Sequence, residues 1–97
     1  MTDYILFMHD DAPPGSDEQW GAYFELLRQS GAFEGGSSIG QGINIRASGT
    51  PGPASDHLTG FIRIRAETLD QARRLAEANP VFVAGGTIEI RELPMDD

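Results

Sequence analysis

Two histidines, each next to an aspartate, are the residues of this chain whose types most readily do chemistry. His9 is followed by Asp10, and His57 is preceded by Asp56. Histidine titrates near neutral pH, and a neighbouring carboxylate orients the imidazole and raises its basicity. If the fold brings the two pairs together, they indicate a general acid–base site.

Two other side chains would complete a small pocket around such a site. Arg46 can hold a substrate carboxylate or an enolate-like oxygen. Trp20, the only tryptophan, can form an apolar wall for a ring-containing ligand. The predicted catalytic residues are therefore His9, Asp10, His57 and Asp56, and the predicted ligand-binding residues are Arg46 and Trp20.

Each of these residues also has a purely structural interpretation. Histidines and aspartates are common in turns and at strand ends, and Trp20 is the largest apolar residue of its predicted helix, which favours a core position. Two histidines and two carboxylates could bind a divalent metal, but neither His-x-x-x-His nor helical Glu-x-x-His spacing is present. The glycine-rich segment 35–42 leads into a strand and the chain has no lysine, which excludes a phosphate loop. No metal and no cofactor is predicted.

The composition narrows the class of partner. The 97 residues suffice for one domain with a modest core, and the formal net charge is −8. Such a charge disfavours nucleic acid and anionic membrane, because phosphate binding requires a basic patch. The lack of cysteine excludes disulfides and thiolate chemistry. The acid pairs at 10–11 and 96–97 are predicted to be solvated, and the lack of a spanning apolar run or secretory start predicts a cytoplasmic protein.

The elements that must position the candidate residues follow from hydrophobic periodicity. Tyr4–His9 is apolar on both faces, which is typical of a central strand. Residues 16–19 (SDEQ) form a capping box, and apolar residues then recur at helical spacing from Trp20 to Leu27. Gly31 is the expected end of this helix.

The second half of the chain repeats a strand–helix–strand pattern. A glycine-rich start leads into a second strand whose isoleucines, within 39–45, share one face. Leu58–Arg65 alternates as a third strand, Thr68–Asn79 repeats as a helix stopped by Pro80, and Thr87–Leu93 alternates as a fourth strand.

This order predicts an α+β, ferredoxin-like βαββαβ domain over residues 1–97. Right-handed crossovers give a four-stranded antiparallel sheet in the order 4-1-3-2, with two helices on one face. The opposite face carries Phe61 and several charged residues. Because small domains gain stability from further burial, we expect a homodimer through the sheet face opposite the helices.

The topology also predicts where the candidate site residues meet. In an antiparallel pair the C-terminal end of the first strand lies beside the N-terminal end of the third, so His9 and His57 are expected at one edge. The second strand would bring Arg46 to that edge, and the first helix begins there with Trp20. Three arginines are predicted to lie towards the opposite edge: Arg63, Arg65 and Arg91. Paired with Glu89 and with acids of a second copy, they would set dimer specificity.

Four segments of the chain resemble the YCII-related (DGPF) family of small bacterial proteins. They are YILFMH at 4–9, GAFEGG at 31–36, the Gly52-Pro53 loop leading into Gly60-Phe61, and the C-terminal run from Asn79-Pro80 to GGTIEIR at 85–91. The resemblance implies a dimeric α/β barrel in which two ferredoxin-like sheets pack face to face. This fold is similar to that of muconolactone isomerases and antibiotic-biosynthesis monooxygenases.

Two departures limit what the resemblance implies about the site. The family's Asp-Gly-Pro-Phe motif reads Pro51-Gly52-Pro53-Ala54 here. Relatives carry a histidine on the first helix, proposed to act with an aspartate, whereas the matching helix here holds Trp20. That dyad is therefore not transferred to this chain.

Two functions from different classes are compatible with these features. The first is a cofactor-independent isomerase- or lyase-type enzyme, in which His9 moves a proton on a small cyclic or enolisable acid, helped by Asp10 or Asp56. The second is a non-catalytic dimeric module that binds a small ligand or a partner protein in the same cleft.

Overall fold

The computed structural model describes residues 1–95, and the acid pair predicted to be solvated at 96–97 lies outside this range. The strands are β1 (Thr2–His9), β2 (Phe33–Ser38), β3 (Leu58–Ala66) and β4 (Ile88–Leu93), and the helices are α1 (Asp17–Ser30), α2 (Leu69–Ala76) and α3 (Pro80–Val83). They form one antiparallel sheet in the order β2-β3-β1-β4. The predicted ferredoxin-like class and strand order are confirmed. No helix within residues 1–95 is long and apolar enough to cross a membrane.

Helix α1 begins and ends as its sequence predicts. The Ser16 hydroxyl accepts from the Gln19 backbone N–H, and the Gln19 side chain accepts from the Ser16 backbone N–H. At the other end Gly31 adopts a left-handed conformation, with φ of 75°. Tyr23 and Leu27 are buried, and the Tyr23 hydroxyl donates to the Leu75 carbonyl of α2. Burial raises the pKa of Tyr23 to about 12.

The second strand lies earlier in the chain than the isoleucine pattern predicts. Strand β2 occupies Phe33–Ser38, and Ser38 already pairs with Gly60 near the start of β3. Residues beyond Ile39 therefore have no ladder to join, because β3 begins at Leu58. Residues 40–56 form a loop, so the prediction of a strand within 39–45 is wrong.

The second predicted helix is confirmed but shorter than expected, and a short helix that was not predicted follows it. Helix α2 ends at Ala76, before the predicted stop at Pro80, and α3 begins at Pro80. Proline is tolerated in the first turn of a helix, and the Asn79 side chain caps α3 by accepting from the Val81 N–H at 2.8 Å. Pro80 thus begins α3, and α2 has already ended at Ala76.

The core lies on one face of the sheet, between the sheet and the helices. Tyr4, Leu6 and Met8 of β1 alternate into this core, and Ile62 and Ile64 of β3 do the same. The side chains on the other face remain partly or fully exposed; they include Ile5, Phe7, His9, Phe61, Arg63 and Glu89. We call this second surface the open face.

Alanine substitutions at two glycines are expected to change the free energy of unfolding in opposite directions. A Cβ at Gly36 of β2 would lie 2.6 Å from the Phe61 carbonyl oxygen, so Gly36→Ala should lower the free energy of unfolding by about 1–3 kcal/mol. Gly21, within α1, has nothing within 4 Å of such a Cβ, so Gly21→Ala should raise it by about 0.5–1 kcal/mol. Urea denaturation of both variants checks the two signs. Two changes of the same sign would contradict the packing described for β2.

Candidate active site

A cavity of about 620 Å³ lies beside α1 and the first three strands. The cavity is not filled because three strand residues that border it have little or no side chain: Gly36 and Ser38 on β2 and Gly60 on β3. A Cβ at Gly60 would approach Met8 Cε to 3.0 Å. The other residues that line the cavity include Met8, His9, Asp10, Ala12, Trp20, Phe24, Arg28, Phe33, Thr59 and Val81. Its size and apolar walls suit a small organic molecule.

Aromatic rings form one wall of this cavity. Trp20 stacks on Phe24 with ring centroids 5.7 Å apart, and Phe24 meets Phe33 edge to face at 5.6 Å. The Arg28 guanidinium lies 5.7 Å from the Phe33 ring centroid and also lines the cavity. Trp20 therefore packs against the core and also borders the cavity, and its role in ligand binding stays a prediction.

His9 joins the cavity to a carboxylate that the sequence analysis assigned elsewhere. His9 Nε2 lies 3.0 Å from Glu89 Oε1. The register explains this contact: Phe7 is opposite Glu89 across β1 and β4, and His9 is two residues further along the same face. The hydrogen bond from His9, and secondarily one from Arg91, holds the pKa of Glu89 below its usual value.

This geometry selects one tautomer of the His9 ring. A carboxylate only accepts hydrogen bonds, so Nε2 must carry the proton in the contact with Glu89. The Nδ1 lone pair is then the basic position of the neutral ring. His9 is among the residues that border the cavity, and its ring, held by Glu89, lies on the open face at the end of β1.

The structure brings the two histidines together. The His9 and His57 rings meet edge to face with centroids 5.1 Å apart, and the Asp10 N–H donates to the His57 carbonyl at 2.7 Å. A register shift at Met8 and His9 leaves Thr59 as an extra residue of β3, and the Thr59 hydroxyl donates to the Met8 carbonyl. His57 itself is exposed.

The carboxylate that hydrogen-bonds His9 is not that of an aspartate next to a histidine in the sequence. Asp10 lines the cavity, Asp56 is exposed in the loop before β3, and within residues 1–95 the carboxylate hydrogen-bonded to His9 is that of Glu89. Asp11 is exposed, as predicted, and it also accepts from the Thr87 hydroxyl and N–H, which lowers the pKa of Asp11. This contact ties the loop after β1 to the start of β4.

The placement of Arg46 at the sheet edge is wrong. The prediction rested on a second strand ending near residue 46, whereas β2 ends at Ser38 and Arg46 is exposed within the long loop. The guanidinium that lines the cavity belongs to Arg28, on α1. The predicted pairing of Glu89 with an arginine is found with Arg91, but its contact with His9 was not predicted. The predicted strand order already placed the fourth strand beside the first, and pairing the two strands in register would have shown the His9–Glu89 contact.

No group of three or more histidine, aspartate or glutamate side chains within residues 1–95 is arranged to hold a metal ion.

The comparisons with known proteins support the fold. No protein-family model matches the chain, and no curated protein sequence matches it. Among solved structures it is similar to 5-chloro-2-hydroxyhydroquinone dehydrochlorinase from Burkholderia phenoliruptrix AC1100, determined in complex with 2,5-dihydroxybenzoquinone. The TM-score is 0.58 and the identity 18%, over 97% of this chain and 95% of that chain. The likeness at this identity shows a shared fold.

Proposed function

We propose that the chain binds a small hydroxylated ring compound in the cavity and moves a proton on it with His9 and Glu89. The observation that carries this proposal is that His9, whose ring is hydrogen-bonded to Glu89 at the end of β1, also borders the cavity that Trp20 lines. The first residue supplies proton transfer, and the second supplies an aromatic wall. The reaction class is a cofactor-independent isomerisation or elimination.

Each of the three polar groups has one role in this mechanism. The proton leaves a ring carbon or hydroxyl of the substrate and passes to His9 Nδ1. Glu89 accepts from Nε2–H throughout and stabilises the imidazolium that forms. Arg28, on the cavity wall, is the cation available to an oxygen that becomes negative. The same imidazolium then returns the proton at a second position, or a leaving group departs.

The choice of a hydroxylated ring is supported by the fold relative. That protein is a hydroxyhydroquinone dehydrochlorinase, and its solved complex holds a dihydroxybenzoquinone. The cavity here has stacked Trp20 and Phe24 on one wall, which suits a flat ring. Membership of the YCII-related family belongs to the same proposal and is supported by the fold likeness to the dehydrochlorinase and by the segments named above.

The proposal includes a second copy of the chain on the open face. Ile5, Phe7 and Phe61 are partly exposed there in the single chain. The face also mixes charges of both signs, with Arg65 3.0 Å from Asp3 and Arg91 3.2 Å from Glu89. A two-fold axis places such a surface against itself, so opposite charges can pair between copies.

The only tryptophan makes the binding test direct. Because Trp20 lines the cavity, titration with 2,5-dihydroxybenzoquinone should quench its fluorescence to saturation, after correction with N-acetyltryptophanamide for absorbance. By calorimetry, Trp20→Ala should weaken binding by about tenfold or more. Phe82→Ala, an exposed side chain that is not part of the lining, is the matched control. A linear, unsaturable loss of fluorescence across hydroxylated rings and lactones would refute the ligand class.

A further inference from the structure

The loop between β2 and β3 is a defined arm, not a short connection. We use "the arm" for residues 39–57. It begins where the Ile39 N–H donates to the Thr59 carbonyl. Further out, the Asn44 side-chain amide donates to the Gly52 carbonyl at 3.1 Å and to the Pro53 carbonyl at 2.9 Å. Gly49 reverses the chain between them with φ of 79°. These bonds close the arm on itself.

The arm exposes apolar side chains that the single chain does not use. Ile43 and Ile45 are each 85% exposed, and Ile39 lies at the base of the arm with 36% exposure. Isoleucine is among the residues most often buried in folded proteins. Two almost fully exposed isoleucines one residue apart, in a loop held by its own hydrogen bonds, indicate a surface that another molecule covers.

The chain exposes more surface than a compact monomer of its mass. A folded monomer of 10.5 kDa is expected to expose about 5,400 Å². This chain exposes 6784 Å² and is flat, with extents of 47 × 38 × 18 Å. The excess of about 1,400 Å² exceeds the roughly 800 Å² that each partner buries in an interface of standard size. A protein surface, not a small ligand, accounts for an area of this size.

Charge and position favour a second copy of the same chain as the occupant. The arm carries one arginine and one aspartate, so the net charge of −8 resides on the rest of the molecule. A neutral apolar arm can therefore approach an acidic second copy without repulsion. The arm also starts beside Thr59, two residues from Phe61 of the open face, so its surface continues the face proposed above for dimer contact.

We propose that the arm of each protomer packs on the second copy, with Ile43 and Ile45 buried in the contact. This inference deepens the proposed dimer by naming the segment that each copy contributes. It is independent of the ligand, because neither isoleucine lines the cavity.

Sedimentation equilibrium tests the arm with matched variants. Ile43→Ser/Ile45→Ser should weaken dimerisation by about tenfold or more, since apolar anchors dominate interface affinity. Leu69→Ser/Val83→Ser removes two exposed apolar residues from the helices and should leave the dimer constant within about threefold. Circular dichroism checks that both variants fold. A monomeric parent chain, or equal effects of the two double variants, would overturn the proposal.

Cross-linking locates the contact, because the chain contains no cysteine. The Ile45→Cys variant is prepared in ¹⁵N-labelled and in unlabelled form, and a benzophenone is attached to the new cysteine. The two forms are mixed and irradiated. Cross-linked peptides that combine the two isotopes are expected, and peptides of one isotope only would mean that the arm folds onto its own protomer. Trp20 quenching in the same samples separates the two proposals: quenching without mixed peptides overturns the arm alone, and mixed peptides without quenching overturn the ligand proposal alone.

Discussion

His9→Gln is expected to slow proton transfer on a bound ring by about 100-fold or more while leaving affinity within about threefold. Glutamine has an amide that can still donate to Glu89, but it has no basic nitrogen to receive a proton. The measurement is exchange of the ring hydrogens of 2,5-dihydroxybenzoquinone for deuterium in D₂O, followed by NMR. In each exchange a deuteron from the solvent-exchanged imidazolium adds to a ring carbon of the enolised ligand, and the original proton then leaves that carbon for His9 Nδ1.

Substitution of each carboxylate in turn tests whether Glu89, or one of the aspartates next to the histidines in the sequence, assists His9. Glu89→Gln should lower the exchange rate by about tenfold or more, because the imidazolium loses its charged partner. Asp10→Asn and Asp56→Asn are the controls and should change it by less than about threefold, since neither residue is adjacent to the reacting nitrogen in the proposed mechanism. A rate that depends on Asp10 but not on Glu89 would show that the wrong acid has been paired with His9.

Leu27→Ala is expected to lower the free energy of unfolding by about 3–5 kcal/mol. Leu27 is 0% exposed on the core side of α1, so truncation leaves a cavity that the sheet cannot close. Leu26, its neighbour on the same helix, is 43% exposed, and Leu26→Ala should cost less than about 1 kcal/mol. Urea denaturation of the two variants provides the comparison. Similar losses would mean that α1 does not pack through the stripe containing Leu27.

Much of the fold could be predicted because the local signals agree with the tertiary packing. The capping box at Ser16, the αL glycine at Gly31 and the apolar stripe from Trp20 to Leu27 define α1 without reference to the rest of the chain. The strand order follows equally well from right-handed crossovers and is the order observed.

The second strand could not be predicted, because its own residues do not favour a strand. Residues 33–38 (FEGGSS) contain two glycines and two serines, whereas isoleucines alternate in the exposed arm. What holds β2 is pairing with β3 and the contact of Phe33 with Phe24, both of which depend on the folded chain. The alternation in the arm is explained equally well by the contact with a second copy proposed above.

The candidate site was predicted only in part, because some of its contacts also depend on the folded chain. Topology alone brings His9 beside His57, and it places Trp20 on the cavity that His9 borders. The partner of His9 depends on register, because a one-residue slip would turn Glu89 to the other face of the sheet. Sequence neighbours such as Asp10 were favoured over a residue eighty positions away, and Arg46 was placed from a strand boundary that was wrong.

The most direct test of the account is a titration of the protein with 2,5-dihydroxybenzoquinone, followed through the ¹⁵N shifts of the His9 imidazole. The account predicts a free protein with Nε2 protonated and Nδ1 basic, and ring shifts that saturate at the same ligand concentration as the quenching of Trp20. His9 shifts that remain constant while Trp20 is quenched to saturation would place the ligand away from the histidine, and they would contradict the assignment of the cavity as an acid–base site.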